Sequence, residues 1–150
     1  MVTLKDIIKS KTLVLGIGNR LKEDDGAGPA LIEKLQRSSS KGLGLIDGGL
    51  TPENYSGKIK ELKPETLVLV DAVDLKAEPG AFRIIEAERF GLNSLSTHNI
   101  PFTIFISYLK EALPELKVYV LGIQPKRVAL GEGLSPEVSQ AIEKICTAIG

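Results

Sequence analysis

The sequence predicts an α/β protein, a three-layer α/β/α sandwich built on a mostly parallel sheet. Short apolar runs rich in branched residues, such as 13–15 and 67–70, are typical of strands that are buried on both faces. These runs alternate along the chain with segments of helical periodicity. The 150 residues, 43% of them apolar and 25% charged, are enough for a single domain, 1–150, with a substantial core.

The first half of the chain contains three predicted strands and two predicted helices, after a short amphipathic helical lead-in at Leu4. Each strand is predicted from an apolar run, and glycine or aspartate follows at the end of the run. The strands are expected at Thr12–Gly16, Leu43–Ile46 and Thr66–Val70, and the helices at Ala27–Gln36 and Thr51–Leu62. A helix between each two successive strands predicts parallel pairing.

The second half opens with a turn at Glu78-Pro79-Gly80, followed at once by a strand predicted at Ala81–Ile85. Because no helix precedes this strand, we expect it to run antiparallel to its neighbour. A helix predicted at Pro101–Leu113 leads to the last strand, Val118–Leu121. The terminal helix should begin at Ser135-Pro136, with serine as its cap and proline in its first turn.

Charge and cysteine content exclude several classes of protein. Lys plus Arg and Asp plus Glu number 19 each, so no net charge attracts nucleic acid or an anionic membrane. No apolar run is long enough to span a bilayer, and residues 1–11 lack a signal-peptide core, so we expect a cytoplasmic protein without membrane insertion. The single cysteine, Cys146, is expected on the apolar face of the terminal helix, as a small residue of the protein core.

Residues 12–28, TLVLGIGNRLKEDDGAG, run from the first strand through a glycine turn into the first helix. The turn resembles the dinucleotide-binding fingerprint G-x-G-x-x-G, but the sixth position is Leu21. Glu23, Asp24 and Asp25 follow, and their charges would repel a pyrophosphate. The loop is therefore better suited to a cation or a proton, and Asp24 or Asp25 is expected to cap the helix.

Five of the six aspartates come just after the first three predicted strands, whereas the glutamates are scattered. These aspartates are Asp24, Asp25, Asp47, Asp71 and Asp74. Because the carboxyl ends of parallel strands share one edge of a sheet, where α/β proteins bind ligands, we expect the carboxylates to meet there. Aspartate also suits turns and helix caps, which explains any one of these positions but explains their joint placement less well.

The single histidine, His98, lies in a loop that could reach the same edge. A lone histidine is more often a structural residue than a ligand. Beside carboxylates, however, its imidazole completes a mixed oxygen and nitrogen donor set that suits nickel, zinc or iron. Three protein ligands would leave coordination positions open for water or substrate. A serine or cysteine nucleophile is poorly supported, because the G-x-S-x-G motif is absent.

Several sequence blocks in one order resemble the [NiFe]-hydrogenase maturation endopeptidases, and most closely the branch that serves formate-hydrogenlyase-type hydrogenases. The blocks are GIGNRLKEDDGAGP (16–29), IDGG (46–49), TPEN (51–54), LVDAVD (69–74), STHNIP (96–101) and LGIQP (121–125). The resemblance implies a cytoplasmic protease that removes the C-terminal extension of a hydrogenase large-subunit precursor after nickel insertion. It also implies a five-stranded mixed sheet with one antiparallel strand, of the phosphorylase/hydrolase-like type.

The resemblance also implies roles for particular residues. Asp25, Asp71 and His98 fall on the positions of the family's metal ligands, so both aspartates are candidate catalytic residues as well. Asp47 falls on an acidic position suspected of a catalytic or substrate-positioning role, which makes it the leading candidate for a general base.

The sequence leaves the role of nickel open. Nickel either polarises the scissile carbonyl or a bound water, or serves mainly as a recognition element while a carboxylate acts as general base. An aspartic-peptidase mechanism would instead require two carboxylates that share a proton. We favour recognition, with the nickel supplied by the precursor and the protease acting as a monomer. The alternatives are a non-enzymatic nickel-sensing or chaperone module and, less well supported, a nucleotide-binding α/β domain.

Overall fold

A five-stranded mixed sheet forms the centre of the molecule. The computed structural model describes residues 3–8, 11–38, 42–90 and 102–149. The strands are β1 (Thr12–Ile17), β2 (Leu43–Gly49), β3 (Thr66–Ala72), β4 (Phe82–Glu86) and β5 (Lys117–Ile123), in the order β2-β1-β3-β5-β4. All neighbours pair in parallel except β4, which is antiparallel to β5. The predicted antiparallel strand is therefore confirmed.

Helices cover both faces of this sheet. They are α1 (Leu4–Ile7), α2 (Ala27–Arg37), α3 (Ser56–Leu62), α4 (Ala87–Phe90), α5 (Phe102–Ala112) and α6 (Pro136–Ile149). Two 3₁₀ turns, Glu23–Gly26 and Pro52–Tyr55, precede α2 and α3. The short helix α4 was not predicted, because one turn is too short to show helical periodicity. None of the described helices is long and apolar enough to cross a membrane.

Side-chain alternation along the strands creates two separate cores. Leu13 and Leu15 pack with α3 and α5 on one face, whereas Val14 packs with α1, α2 and α6 on the other. Both faces of the central strands are thus buried, as their continuous apolar runs predict. Cys146 is half-buried against the second core, and this burial raises the pKa of its thiol.

All five strands continue beyond their predicted ends, β1 and β4 by one residue and the other three by two or three. The structure ends β2 at Gly49, β3 at Ala72 and β5 at Ile123. Backbone pairing does not require apolar side chains, so the ladder extends into the polar residues that follow each run. The prediction that Asp47 and Asp71 come after their strands is consequently wrong, since both lie within the strand ends.

Two glycines allow α2 to start close above the sheet. A Cβ atom on Gly28 would lie 2.3 Å from the carbonyl oxygen of Ile17 and 2.5 Å from that of Val70. A Cβ atom on Gly16 would lie 2.6 Å from the carbonyl oxygen of Gly28. This close approach sets the first turn of α2, and the acidic turn before it, at the carboxyl ends of β1 and β3.

Candidate active site

The glycine turn after β1 is packed against the acidic turn. Gly18 has a φ of 153°, and a Cβ atom there would lie 2.0 Å from the carbonyl oxygen of Asp25. Its N–H donates to the carbonyl of Gly49 at 2.9 Å, which joins the ends of β1 and β2. The glycine thus permits the close approach of a protein backbone, and the space that a pyrophosphate would need is filled. This contact argues against the nucleotide-binding alternative.

Asp25 is buried at the carboxyl edge of the sheet. Its Oδ2 accepts a hydrogen bond from the backbone N–H of Asn19 at 3.2 Å. Asn19 in turn accepts the N–H of Leu21 through Oδ1 at 2.9 Å, which fixes the turn. The 3₁₀ turn that carries Asp25 packs against β3, the strand of Asp71. The fold therefore brings the elements that carry Asp25 and Asp71 together.

Asp71 is completely buried near the end of β3, in register with Gly122 of β5. Leu67 and Leu69 of the same strand belong to the core with α3 and α5. Strand alternation places Asp71 on that same face. The helix α5 covers this face, and His98 precedes it in the sequence but lies outside the described residues. Its approach to Asp71 stays a prediction.

The donor chemistry of Asp25 and Asp71 fits the oxygen half of the predicted metal site. Two buried carboxylates on neighbouring elements favour a divalent cation over an anionic ligand. Within the described residues, no group of three or more His, Cys, Asp or Glu side chains is arranged to hold a metal ion. The predicted set needs His98, so this result does not test it.

Asp24 has a different environment from its neighbour Asp25. Its carboxylate is completely buried, and Oδ2 accepts hydrogen bonds from the N–H of Lys126 at 2.8 Å, the N–H of Arg127 at 3.3 Å and the Ser135 hydroxyl at 2.8 Å. Oδ1 accepts the N–H of Ser135 at 2.7 Å. Asp24 therefore binds the β5–α6 segment, residues 124–135, to the acidic turn.

These contacts correct the helix-cap prediction for α2. Its N-cap residue is Gly26, which makes no side-chain capping hydrogen bond, and the carboxylates of Asp24 and Asp25 are engaged elsewhere. The predicted cap of α6 is confirmed, since Ser135 Oγ accepts the N–H of Val138 at 3.3 Å. The sequence did not indicate the structural role of Asp24, because the partners of its carboxylate are more than 100 residues away along the chain.

Asp47 is placed on the opposite face of the sheet from Asp71. It pairs in register with Gly16, whose missing Cβ would point at α2. Leu45, two residues earlier on β2, packs in the core with α2 and α6. The Asp47 carboxylate consequently faces α2, and its side chain is 40% exposed.

Arg20, which the sequence did not single out, holds the Asp47 carboxylate. Its Nη2 donates to Asp47 Oδ2 at 3.3 Å, and its Nη1 donates to Oε2 of Glu33 on α2 at 2.9 Å. Asp47 Oδ1 also accepts the N–H of Gly49 at 3.1 Å. Asp47 is thus oriented by a cation and a backbone amide at the edge of the proposed site.

Known proteins similar to this chain cover most of its length. A family model described as HycI, hydrogenase maturation protease, matches residues 29–150. The matched region includes Asp47, Asp71 and His98, whereas Asp25 precedes it.

Individual relatives agree with the family model. The chain is 38% identical over 134 residues to the hydrogenase 3 maturation protease of Escherichia coli, covering 89% of this chain and 85% of the relative. It resembles the crystal structure of the [NiFe] hydrogenase maturation protease HycI from Thermococcus kodakarensis with a TM-score of 0.86 and 31% identity, over 97% of this chain and 95% of that one. The maturation endopeptidase HybD from E. coli gives a TM-score of 0.77 and 26% identity, over 93% and 89%.

Proposed function

Because the chain belongs to the hydrogenase maturation protease family, we propose that it removes the C-terminal extension of a [NiFe]-hydrogenase large-subunit precursor after nickel insertion. The observation that carries this proposal is the burial of Asp25 and Asp71 on packed elements at the carboxyl edge of the sheet. Buried carboxylates at such an edge suit recognition of a cation.

In this proposal the nickel ion arrives as part of the substrate. Asp25, Asp71 and His98 bind it, and its charge holds the precursor at the edge of the sheet. Two carboxylates and one imidazole are a sparse ligand set for nickel, compared with sites rich in histidine or thiolate. The free protease should therefore bind nickel weakly and leave the ion in the precursor.

Peptide hydrolysis needs a group that takes a proton from water and returns it to the leaving amine. Asp47 is the proposed general base, since its partly exposed carboxylate is oriented by Arg20 and Gly49. Water attacks the scissile carbonyl as Asp47 accepts a proton, and that proton then passes to the nitrogen of the released extension. Asp25 and Asp71 would take this catalytic role themselves if they shared a proton, as in aspartic peptidases.

Mass analysis of a nickel-loaded precursor tests the proposal. Incubation with the protein should shorten the precursor at its C-terminus and release the extension as one peptide. Asp71→Asn should abolish the cleavage. Asp74→Asn should not, because Asp74 is exposed and its contacts with described residues are local: it accepts the N–H of Lys76 at 3.0 Å and forms an ion pair with the Lys76 side chain at 4.0 Å. An intact precursor after incubation with wild-type protein would refute the proposed function.

The remaining expectations follow from the same proposal. We propose further that the protease acts as a monomer in the cytoplasm, without membrane insertion or nucleic acid. Light scattering of the purified protein, alone and with precursor, tests the monomeric state.

A further inference from the structure

A groove of about 370 Å³ lies beside the proposed site, between the loop 20–26 and residues 132–134 of the β5–α6 segment. We infer that this groove binds the precursor chain next to its cleavage site, as an extended peptide with an apolar side chain beside a basic one. The inference rests on the proposed function and adds where, and by which chemistry, the peptide is held.

The two walls of the groove are fixed to each other by the protein itself. Gly131 donates its N–H to the carbonyl of Leu21 at 2.8 Å, and Glu23 donates its N–H to the carbonyl of Gly131 at 2.9 Å. This pairing is a parallel bridge between Lys22 and Gly131. The buried carboxylate of Asp24 joins the same two segments from below. A groove that is already formed does not have to be ordered when a peptide binds.

One exposed apolar side chain, that of Leu21, lines the groove, and a second, that of Leu130, belongs to the segment that forms the other wall. Leu21 and Leu130 each come one residue before the bridged pair, so their backbones lie on neighbouring positions of the two walls. Leu21 is 57% exposed and Leu130 is 84% exposed. Ala30 and Leu134, at the base of the groove, pack against the core with α2 and α6. Exposed apolar side chains that border a groove with a charged rim suit the binding of a partner chain.

The groups that line the groove, or that pair with its lining, carry an excess of negative charge. Two cations face four carboxylates, which leaves two negative charges. These groups are Arg20, Arg127, Glu23, Glu33, Asp47 and Glu132. Glu23 pairs with Arg127, and Arg20 is shared by Glu33 and Asp47. Glu132 is exposed and forms no ion pair with any described residue, so a basic side chain of the peptide would complement it.

The groove is continuous with the proposed site. Gly26, which lines the groove, directly follows Asp25, and Arg20 at the other end contacts Asp47. A peptide in the groove therefore passes Arg20, the residue that holds the Asp47 carboxylate. The face of Asp71 is left for the nickel-bearing part of the precursor, since Asp71 lies on the other side of the sheet from Asp47.

Steady-state kinetics with a nickel-loaded precursor test this inference. Leu130→Ser and Glu132→Lys should each raise KM about tenfold, the effect of roughly 1.4 kcal/mol of lost binding, and leave kcat within about twofold. Both side chains are exposed, so the variants should keep the wild-type melting temperature. The matched controls are Leu62→Ser on α3 and Glu115→Lys before β5, both exposed and outside the groove. They should keep the wild-type KM.

Charge reversal in the substrate completes the test. Replacing the lysines and arginines that flank the cleavage site by glutamate, one at a time, should give a precursor that Glu132→Lys cleaves better than the wild-type protease does. If Leu130→Ser and Glu132→Lys keep the wild-type KM while Asp71→Asn loses cleavage, the groove is not the peptide site and the proposed function stands. If the wild-type protease does not cleave the precursor at all, the proposed function itself fails.

Discussion

Asp24 and Asp71 are both completely buried carboxylates at the same end of the sheet, yet their surroundings differ. Asp24 accepts four hydrogen bonds from the β5–α6 segment, so the fold itself accounts for its burial. Asp71 lies at the end of β3, against the turn that carries Asp25, where we propose that it binds the precursor's nickel. Burial alone therefore does not mark a catalytic carboxylate, because the groups that contact the carboxylate decide its role.

Asp71→Asn and Asp24→Asn are both isosteric, but the first should lose activity and the second should lose stability. Of the variants considered, Asp71→Asn should give the largest effect on activity. Asparagine keeps the size of the side chain but lacks the charge that binds a divalent cation. Loss of an outer-shell partner of a metal costs up to about 100-fold, and a direct ligand should matter more. Processing of the nickel-loaded precursor should therefore fall by more than about 100-fold. The melting temperature should stay near the wild-type value. Wild-type processing by this variant would make Asp71 a structural residue like Asp24.

Asp47→Asn should rank second and tests the other face of the sheet. Losing a general base costs about 100-fold or more in kcat. Arg20→Gln removes the cation that orients Asp47 but keeps the base, so its kcat should fall by less than about tenfold. The two variants are compared in single-turnover cleavage of one precursor. Equal and small effects would show that Asp47 is only the structural partner of Arg20.

Asp24→Asn should lower stability more than activity. The amide would present its NH₂ group to backbone donors that now bind a carboxylate, which should cost about 3 kcal/mol of unfolding free energy. For a chain of this size, that loss corresponds to a melting temperature lower by roughly 6 to 12 °C. Calorimetry measures this shift, and cleavage is assayed well below the transition. An unchanged melting temperature with lost cleavage would move Asp24 from the structural group to the site.

Ser135→Ala should have the smallest effect of the series. It removes one hydrogen bond to Asp24 and the cap of α6, and each is worth about 1 kcal/mol. The unfolding free energy should therefore fall by less than in Asp24→Asn. In the double variant the two losses should be less than additive, because they share one hydrogen bond. Strict additivity would show that Ser135 and Asp24 act independently.

The sequence predicts the fold well because the signals involved are local. Apolar runs such as 67–70 give the strands, and the turn before β4 leaves no room for a crossover helix. The meeting of Asp25 with β3 agrees with the expectation that residues following parallel strands gather at one edge of the sheet.

Other features depend on contacts distant in sequence or on register, and the sequence does not reveal them. The partners of Asp24 lie more than 100 residues away, so its burial could not be separated from that of Asp25. The face taken by Asp47 depends on where β2 ends, three residues beyond the apolar run that predicts it. The contact of Arg20 with Asp47 likewise requires the folded loop.

The proposed function depends on recognition, by Asp25, Asp71 and His98, of the nickel ion that the precursor carries. The most direct measurement follows the release of the C-terminal peptide from one precursor, prepared with and without nickel, by protease stripped of metal. We predict release from the nickel-loaded form only, and loss of that release in Asp71→Asn. Equal release from both forms would contradict nickel recognition by these residues, even though the protein would still be a protease.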